Sequence, residues 1–148
     1  MISKQLPHEH VSLQDCARWT KSMLDACNTE HVACKANDPL EGSRDLRTPN
    51  FVPKRLLRIE RNALLYRIHL CESEGGEASL RGLGLRYTAL SHCWGSIPII
   101  KTTAASLVEF MTEGISWACL PKTFQEAISL TRELDIQYIW IDSLCKRS

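Results

Sequence analysis

The sequence lacks any apolar run that approaches the roughly 20 residues needed to span a bilayer. It also lacks an excess of one charge, since 18 Lys and Arg residues against 17 Asp and Glu residues give a formal net charge of +1. A nearly neutral chain offers no argument for binding nucleic acid or an anionic membrane surface. The first ten residues contain no apolar stretch of the signal-peptide type. We therefore predict an intracellular protein, most simply a cytoplasmic one.

Several motifs that mark enzymes or metal modules are also missing. The chain contains no phosphate-binding Gly-rich loop, no H-E-x-x-H, no G-x-S-x-G and no paired C-x2-C knuckle. Its seven cysteines are an odd number, which argues against a fully paired disulfide framework. In a reducing compartment we expect these cysteines to be thiols or metal ligands.

What is present is the composition of an ordinary globular protein, with 44% hydrophobic and 24% charged residues in 148. The first half begins with a unit over 12–34, in which we predict a helix that ends at Asn28 or soon after it. A polar linker over 35–55, a hairpin of strands at 56–59 and 64–70, and a Gly-rich loop over 71–84 follow. We predict two parts: residues 1–55, with the helix and linker, and residues 56–148, with the main domain.

The N-terminal helix carries a group of potential metal ligands. Cys27 and His31 have i, i+4 spacing, and Cys34 lies one turn further on, so a continuing helix would place all three on one face. With Cys16 they would make four ligands for a tetrahedral zinc ion. The spacing matches no standard zinc module, so the alternative is that these thiols are buried and pack against Trp19.

The second half has a strand, helix and strand order. YTALS (87–91) and IQYIWID (136–142) predict buried strands, and KTFQEAISLTRELD (122–135) predicts an amphipathic helix with a Thr123–Glu126 capping box. A further helix is predicted to end at Gly114. This order favours an α/β fold with a parallel sheet.

Polar residues follow both predicted strands. Ser91, His92, Trp94 and Gly95 follow the first strand, and Asp142 follows the second. In a parallel sheet the carboxyl ends of the strands meet at one edge, where ligands usually bind, so these residues are candidates for a pocket. In the structural alternative Trp94 packs over the sheet, Gly95 permits a turn and Asp142 caps the next segment. A nucleophilic pair of His92 with Cys93 is disfavoured, because neighbours in an extended strand point to opposite faces.

The segment from Tyr87 onward resembles the fungal heterokaryon incompatibility (HET) domain. YTALSHCWG (87–95) is similar to the first block of that family, and LPKTFQEAISLTRELDIQYIWIDSLC (120–145) is similar to the second. The helix with Cys27, His31 and Cys34 resembles the leader that precedes the domain. The positions that match the family pattern are Ser91, Trp94, Gly95, Trp140, Asp142 and Cys145.

The resemblance implies a role in non-self recognition, in which incompatible partners trigger cell death after hyphal fusion. It also implies a TIR-like, flavodoxin-like parallel sheet flanked by helices, here with an N-terminal helix and hairpin leader. TIR domains either assemble as signalling scaffolds or cleave NAD. The expected partners are other proteins of the cell-death pathway, together with self-association.

The family continues beyond Cys145 with Ile, a variable residue and Gln, whereas this chain reads Lys146, Arg147 and Ser148. We therefore expect an incomplete domain whose last strand has an unpaired edge, and we do not expect an autonomous enzyme. Two alternatives remain open. One is an NAD-cleaving enzyme, in which Asp142 is the one acid that can be placed at the rim. The other is a small zinc-binding interaction protein.

Overall fold

A computed structural model of the chain describes residues 11–31, 52–60, 67–73, 85–93, 95 and 98–146. The chain divides into two units, Met1–Pro49 and Asn50–Ser148. The boundary that we predicted after residue 55 falls within the first strand, which begins at Arg55. Within the described ranges, no helix has the length and apolar character required to cross a membrane.

The described part of the first unit is helix α1, Leu13–Glu30. Its N-terminus is capped as the sequence predicts: the Asp15 amide donates to Ser12 Oγ at 3.1 Å, and the Ser12 hydroxyl donates to the Asp15 carboxylate at 2.7 Å. The helix ends at Glu30, and His31 has extended backbone angles, φ −95° and ψ 105°. The continuous helix from Cys27 to Cys34 that the zinc hypothesis assumed is therefore wrong.

The described part of the second unit contains five strands, three α-helices and one 3-10 turn. In chain order they are β1 (Arg55–Ile59), β2 (Arg67–Glu72), β3 (Tyr87–Leu90), α2 (Leu107–Thr112), β4 (Ile115–Ser116), the 3-10 turn (Trp117–Cys119), α3 (Lys122–Glu133), β5 (Tyr138–Ile141) and α4 (Asp142–Cys145).

The five strands form one mixed sheet in the order β3-β5-β1-β2-β4. Only β3 and β5 are parallel, and β1 pairs antiparallel with both β5 and β2, while β4 pairs antiparallel with β2. The α/β class is confirmed, but the prediction of a purely parallel sheet is wrong. The predicted hairpin exists as β1 and β2, and its turn at residues 61–62 lies outside the described residues.

The first strand of the hairpin, β1, lies in the middle of the sheet and is buried on both faces at its centre, although Arg58, on the same face as Leu56, is exposed. Leu56 and Leu57 are consecutive and both have an exposed fraction of 0%. A strand with one face in water would instead alternate between buried and exposed residues. As a result β1 covers the edge of β5, where Leu57 pairs with Ile139. The expected unpaired edge on β5 is therefore wrong.

Helix α3 is the last element of the connection from β3 to β5, and it packs through the predicted stripe, in which Phe124, Ile128 and Thr131 are buried. The Thr131 hydroxyl donates to the Ala127 carbonyl at 2.8 Å and lies 2.7 Å from Thr88 Oγ1 on β3. This contact attaches the helix to the first of the parallel strands.

The start of α3 differs from the sequence prediction. Its N-cap is Pro121, and no side chain caps it, so the Thr123–Glu126 capping box is wrong. Gln125 instead donates through Nε2 to the carbonyls of Trp117 and Leu120, both at 3.0 Å. These bonds attach the helix to the preceding 3-10 turn.

Helix α2 ends before Gly114, as the sequence predicts. Gly114 has a φ of 79°, and a Cβ atom there would lie 3.0 Å from the Ile68 carbonyl oxygen and from two atoms of the His69 ring. A glycine is required at this position both by the backbone angle and by the close approach of β2.

Candidate functional site

The carboxyl ends of β3 and β5 meet at one edge of the sheet. Leu90 and Ile141 are the last paired residues of the two parallel strands, so Ser91 and His92 leave the sheet beside Asp142. These residues line a cleft of about 290 Å³ together with Ala89, Leu90, Trp140 and Lys146. We call this the rim cleft.

Asp142, Trp140 and Lys146 form a charged group in the rim cleft. Lys146 Nζ lies 2.6 Å from Asp142 Oδ1, and it also lies 5.5 Å from the centroid of the Trp140 ring. Asp142 Oδ1 is buried, and its contact with Lys146 is an ion pair. The Lys146 side chain is 68% exposed, whereas that of Asp142 is 26% exposed. The cleft therefore contains a carboxylate and an aromatic face, both in contact with one largely exposed cation.

His92 lies between the rim cleft and the core. Its ring meets that of Phe124 edge to face, with 5.0 Å between the centroids and an interplanar angle of 83°. Neither ring nitrogen has a hydrogen-bond partner in the described ranges, although both are buried. A buried polar atom without a partner is costly, so these nitrogens are the least satisfied polar groups beside the cleft. Among the described residues His92 therefore makes no hydrogen bond to Cys93, which is exposed.

Cys145 lies beneath the rim and is part of the core. Its Sγ accepts a hydrogen bond from the Ile141 amide at 3.4 Å. Burial raises the pKa of the Cys145 thiol to about 12, against which the Ile141 amide acts only weakly. A thiol that stays neutral at physiological pH is a poor nucleophile. In this structure the role of Cys145, one of the positions that match the family pattern, is to pack in the core.

Helix α4 is held in place from the loop that precedes α2. Thr102 is fully buried, and its hydroxyl donates to the Leu144 carbonyl at 2.6 Å. Its amide donates to the Ser143 carbonyl at 3.0 Å. The two bonds fix the orientation of the helix that carries Asp142 and thus the geometry of the rim cleft.

The structure brings together three of the predicted rim residues, Ser91, His92 and Asp142, with Trp140, which was predicted only from the family pattern. Gly95 is exposed and has a left-handed φ of 65°, while Trp94 lies outside the described residues. The sequence prediction missed Lys146. Its i, i+4 spacing from Asp142 at the end of an apolar strand is the signal that points to an ion pair there.

The N-terminal metal candidates do not form a single cluster. Cys16 and Cys27 are eleven residues apart in one helix, a rise of about 16 Å. Zinc ligands lie about 2 Å from the ion, so Cys16 cannot share an ion with Cys27, and its assignment is corrected. In the part of the chain that the structure describes, no group of three or more His, Cys, Asp or Glu side chains comes together. Cys34 lies outside that part.

The fold and the rim cleft together define an α/β protein whose motif residues lie at the carboxyl edge of two parallel strands. Residues 87–146 match the family model of the heterokaryon incompatibility protein (HET). The matched stretch runs from the first residue of β3 to Lys146, so that it includes every residue of the rim cleft. No curated protein and no solved structure matches the chain.

Proposed function

We propose that the chain acts as a signalling and interaction module in fungal non-self recognition, in the cytoplasm, and not as an autonomous enzyme. The observation that carries this proposal is the convergence of both HET blocks on the rim cleft. The first block supplies Ser91 and His92, and the second supplies Trp140 and Asp142. Residues on loops that a rigid sheet holds in place are typical of binding surfaces.

The size of the rim cleft also favours binding over catalysis. Its volume of about 290 Å³ lies at the lower limit of the roughly 300–1,000 Å³ typical of ligand sites. The cleft provides one carboxylate, which is already paired with Lys146. This arrangement suits recognition of a protruding group on another protein better than enclosure of a large substrate.

The test is expression of the chain in a fungal strain that undergoes incompatibility, with counts of dead fusion cells in compatible and incompatible pairings. We expect the chain to change the fraction of dead cells, and we expect the double variant Trp140→Ala, Asp142→Asn to lose that effect. Lys122→Met is the matched control, because Lys122 forms an i, i+4 ion pair with Glu126 on α3, away from the rim cleft.

Two results would contradict the proposal. Equal cell death with and without the chain would remove the signalling role. An effect that the double variant retains in full would place the interaction surface elsewhere on the molecule. The variants must be present at equal protein levels, so that a difference in cell death reflects the surface of the protein and not its abundance.

A second candidate is a TIR-like enzyme that cleaves NAD. It is favoured by the Asp142 carboxylate beside the Trp140 ring, and the parallel pair of strands joined by α3 is compatible with a TIR-like relationship. Two other acids, Glu126 and Glu133 on α3, are paired with Lys122 and Arg132 and do not line the cleft. Nicotinamide release from NAD that Asp142→Ala abolishes would establish this activity. No release from a folded sample would leave the interaction module as the better proposal.

A further inference from the structure

We propose that the rim cleft is a recognition site for an organic cation, an alkylammonium or guanidinium group, and that Lys146 of the chain itself occupies it. The ammonium of Lys146 lies between the Asp142 carboxylate, at 2.6 Å, and the Trp140 ring, at 5.5 Å. A carboxylate and an aromatic face together form a site of the kind that binds organic cations. The inference stands on this geometry and needs no assumption about signalling.

The neighbouring polar groups of the cleft are suited to a ligand that donates hydrogen bonds. A neutral His92 has one acceptor nitrogen, and neither of its nitrogens has a partner in the described ranges. The Ser91 hydroxyl also lines the cleft and can accept. A ligand with several N–H donors and a positive charge would complement the His92 nitrogen, the Ser91 hydroxyl and the Asp142 carboxylate. Among the described residues that line the cleft, only Lys146 carries a fixed positive charge.

Lys146 is an occupant that a ligand can displace. Its side chain is 68% exposed, and it extends from the residue that follows the four-residue helix α4. Ion pairs and cation–π contacts at such exposed positions are weak. A cation from solution would therefore displace the Lys146 ammonium and bind in the cleft. The Lys146 contact acts as an internal competitor that lowers the apparent affinity for any external cation.

The test is a titration of the full chain, followed by the amide and indole NMR signals, with butylammonium and butylguanidinium as probes and butanol as the neutral control. Removing the internal competitor with Lys146→Met is expected to tighten cation binding about three- to tenfold. Asp142→Asn is expected to weaken it about tenfold or more, because the carboxylate no longer carries a charge. Butanol is expected to bind none of the variants in the cleft.

Lys122→Met provides the matched control, since it removes the same charge from another i, i+4 ion pair, outside the cleft. It should bind both cations as the unchanged chain does. Equal affinity in the unchanged chain and in Lys146→Met would overturn the proposal. So would equal affinity in Asp142→Asn, or an equal gain in both lysine variants. Unchanged amide spectra away from the rim verify that each variant is folded.

The cation can come from a free amine or from a Lys or Arg side chain of another protein. A short peptide with one lysine, compared with the same peptide carrying an acetylated lysine, distinguishes the two sources. Tighter binding of the lysine peptide than of butylammonium assigns the site to a protein partner. Binding no tighter than that of butylammonium assigns it to a free amine. A peptide that binds equally well after acetylation would contradict recognition of the charge.

Discussion

Strand β1, in the middle of the sheet, and strand β3, at its edge, differ in how deeply they are buried. In β1, Leu56, Leu57 and Ile59 are almost fully buried. In β3, by contrast, none of the four residues is fully buried and Ala89 is exposed. Yet β3, not β1, lies in the segment that matches the HET family model. Strand β5, between them, belongs to both the core and the site, because it alternates between buried core residues and Trp140 of the rim cleft.

The family match alone would leave out β1, the strand in the middle of the sheet. Residues 87–146 include the whole rim cleft but not β1, which lies in the middle of the sheet and pairs with β5. The hairpin upstream of the family segment thus supports the strand from which Asp142 extends. We expect changes in the hairpin to alter stability and changes at the rim to alter binding.

The largest effect is expected in the hairpin. Leu57→Ala should lower the free energy of unfolding by about 2–5 kcal/mol, because it leaves a cavity where β1 meets both β2 and β5. Val108→Ala is the matched control, since Val108 on α2 is 66% exposed and should change stability by less than about 0.5 kcal/mol. Urea unfolding measures both. A similar small loss in both variants would show that the hairpin is not the centre of the core.

Substitution of two glycines, Gly114 and Gly95, is expected to lower the free energy of unfolding by intermediate amounts. Gly114→Ala should lower the unfolding free energy by about 2–3 kcal/mol, because the new methyl group meets the Ile68 carbonyl and the His69 ring at 3.0 Å. Gly95→Ala should cost only about 1 kcal/mol, since its φ is also positive but no atom of the described residues lies within 4 Å of the added Cβ. Thermal unfolding of the two variants side by side gives the difference. Equal losses would mean that backbone strain alone decides both positions.

The smallest effects are expected at Cys93, next to His92, and at Cys145, beneath the rim. They should be seen in the reactivity of the two thiols before they are seen in the free energy of unfolding. Exposed Cys93 should react with an alkylating reagent at pH 8, whereas Cys145 should react at least about a hundredfold more slowly, because burial raises its pKa to about 12. Mass spectrometry of the native chain measures the two rates. In urea the difference should disappear, and a difference that persists would point to a cause other than burial.

The same thiols make stability depend on pH in the alkaline range. Burial raises the pKa of both Cys145 and Cys71 above their ordinary value of 9.0. Stability from this source is therefore fully present below pH 9 and is lost as the pH rises toward 12, since only the unfolded thiols ionise readily. Repeating the urea series at alkaline pH should show this loss, and Cys145→Ala should reduce it.

The sequence by itself determined the local elements and the family segment. The Ser12 cap, the helix stop at Gly114, the buried stripe of α3 and the meeting of Ser91 with Asp142 follow from short-range patterns and from one topological rule for parallel strands. One short-range prediction failed, the capping box of α3. The contacts of Gln125 with the preceding 3-10 turn replace the expected cap there. The end of α1 at Glu30 agrees with the helix end predicted at Asn28 or soon after it, so the condition for the zinc hypothesis, a helix that continues to Cys34, is not met.

Only the tertiary structure decided where the hairpin lies and what Asp142 contacts. Nothing in the spacing of LLRI states that β1 inserts beside β5, because strand pairing joins residues about 80 positions apart and depends on which apolar faces can be buried together. The same holds for the Lys146 ammonium above the Trp140 ring, since side chains that are neighbours in sequence meet only when strand β5 turns directly into helix α4. Local pattern specifies elements, whereas the burial of shared apolar surface specifies their partners.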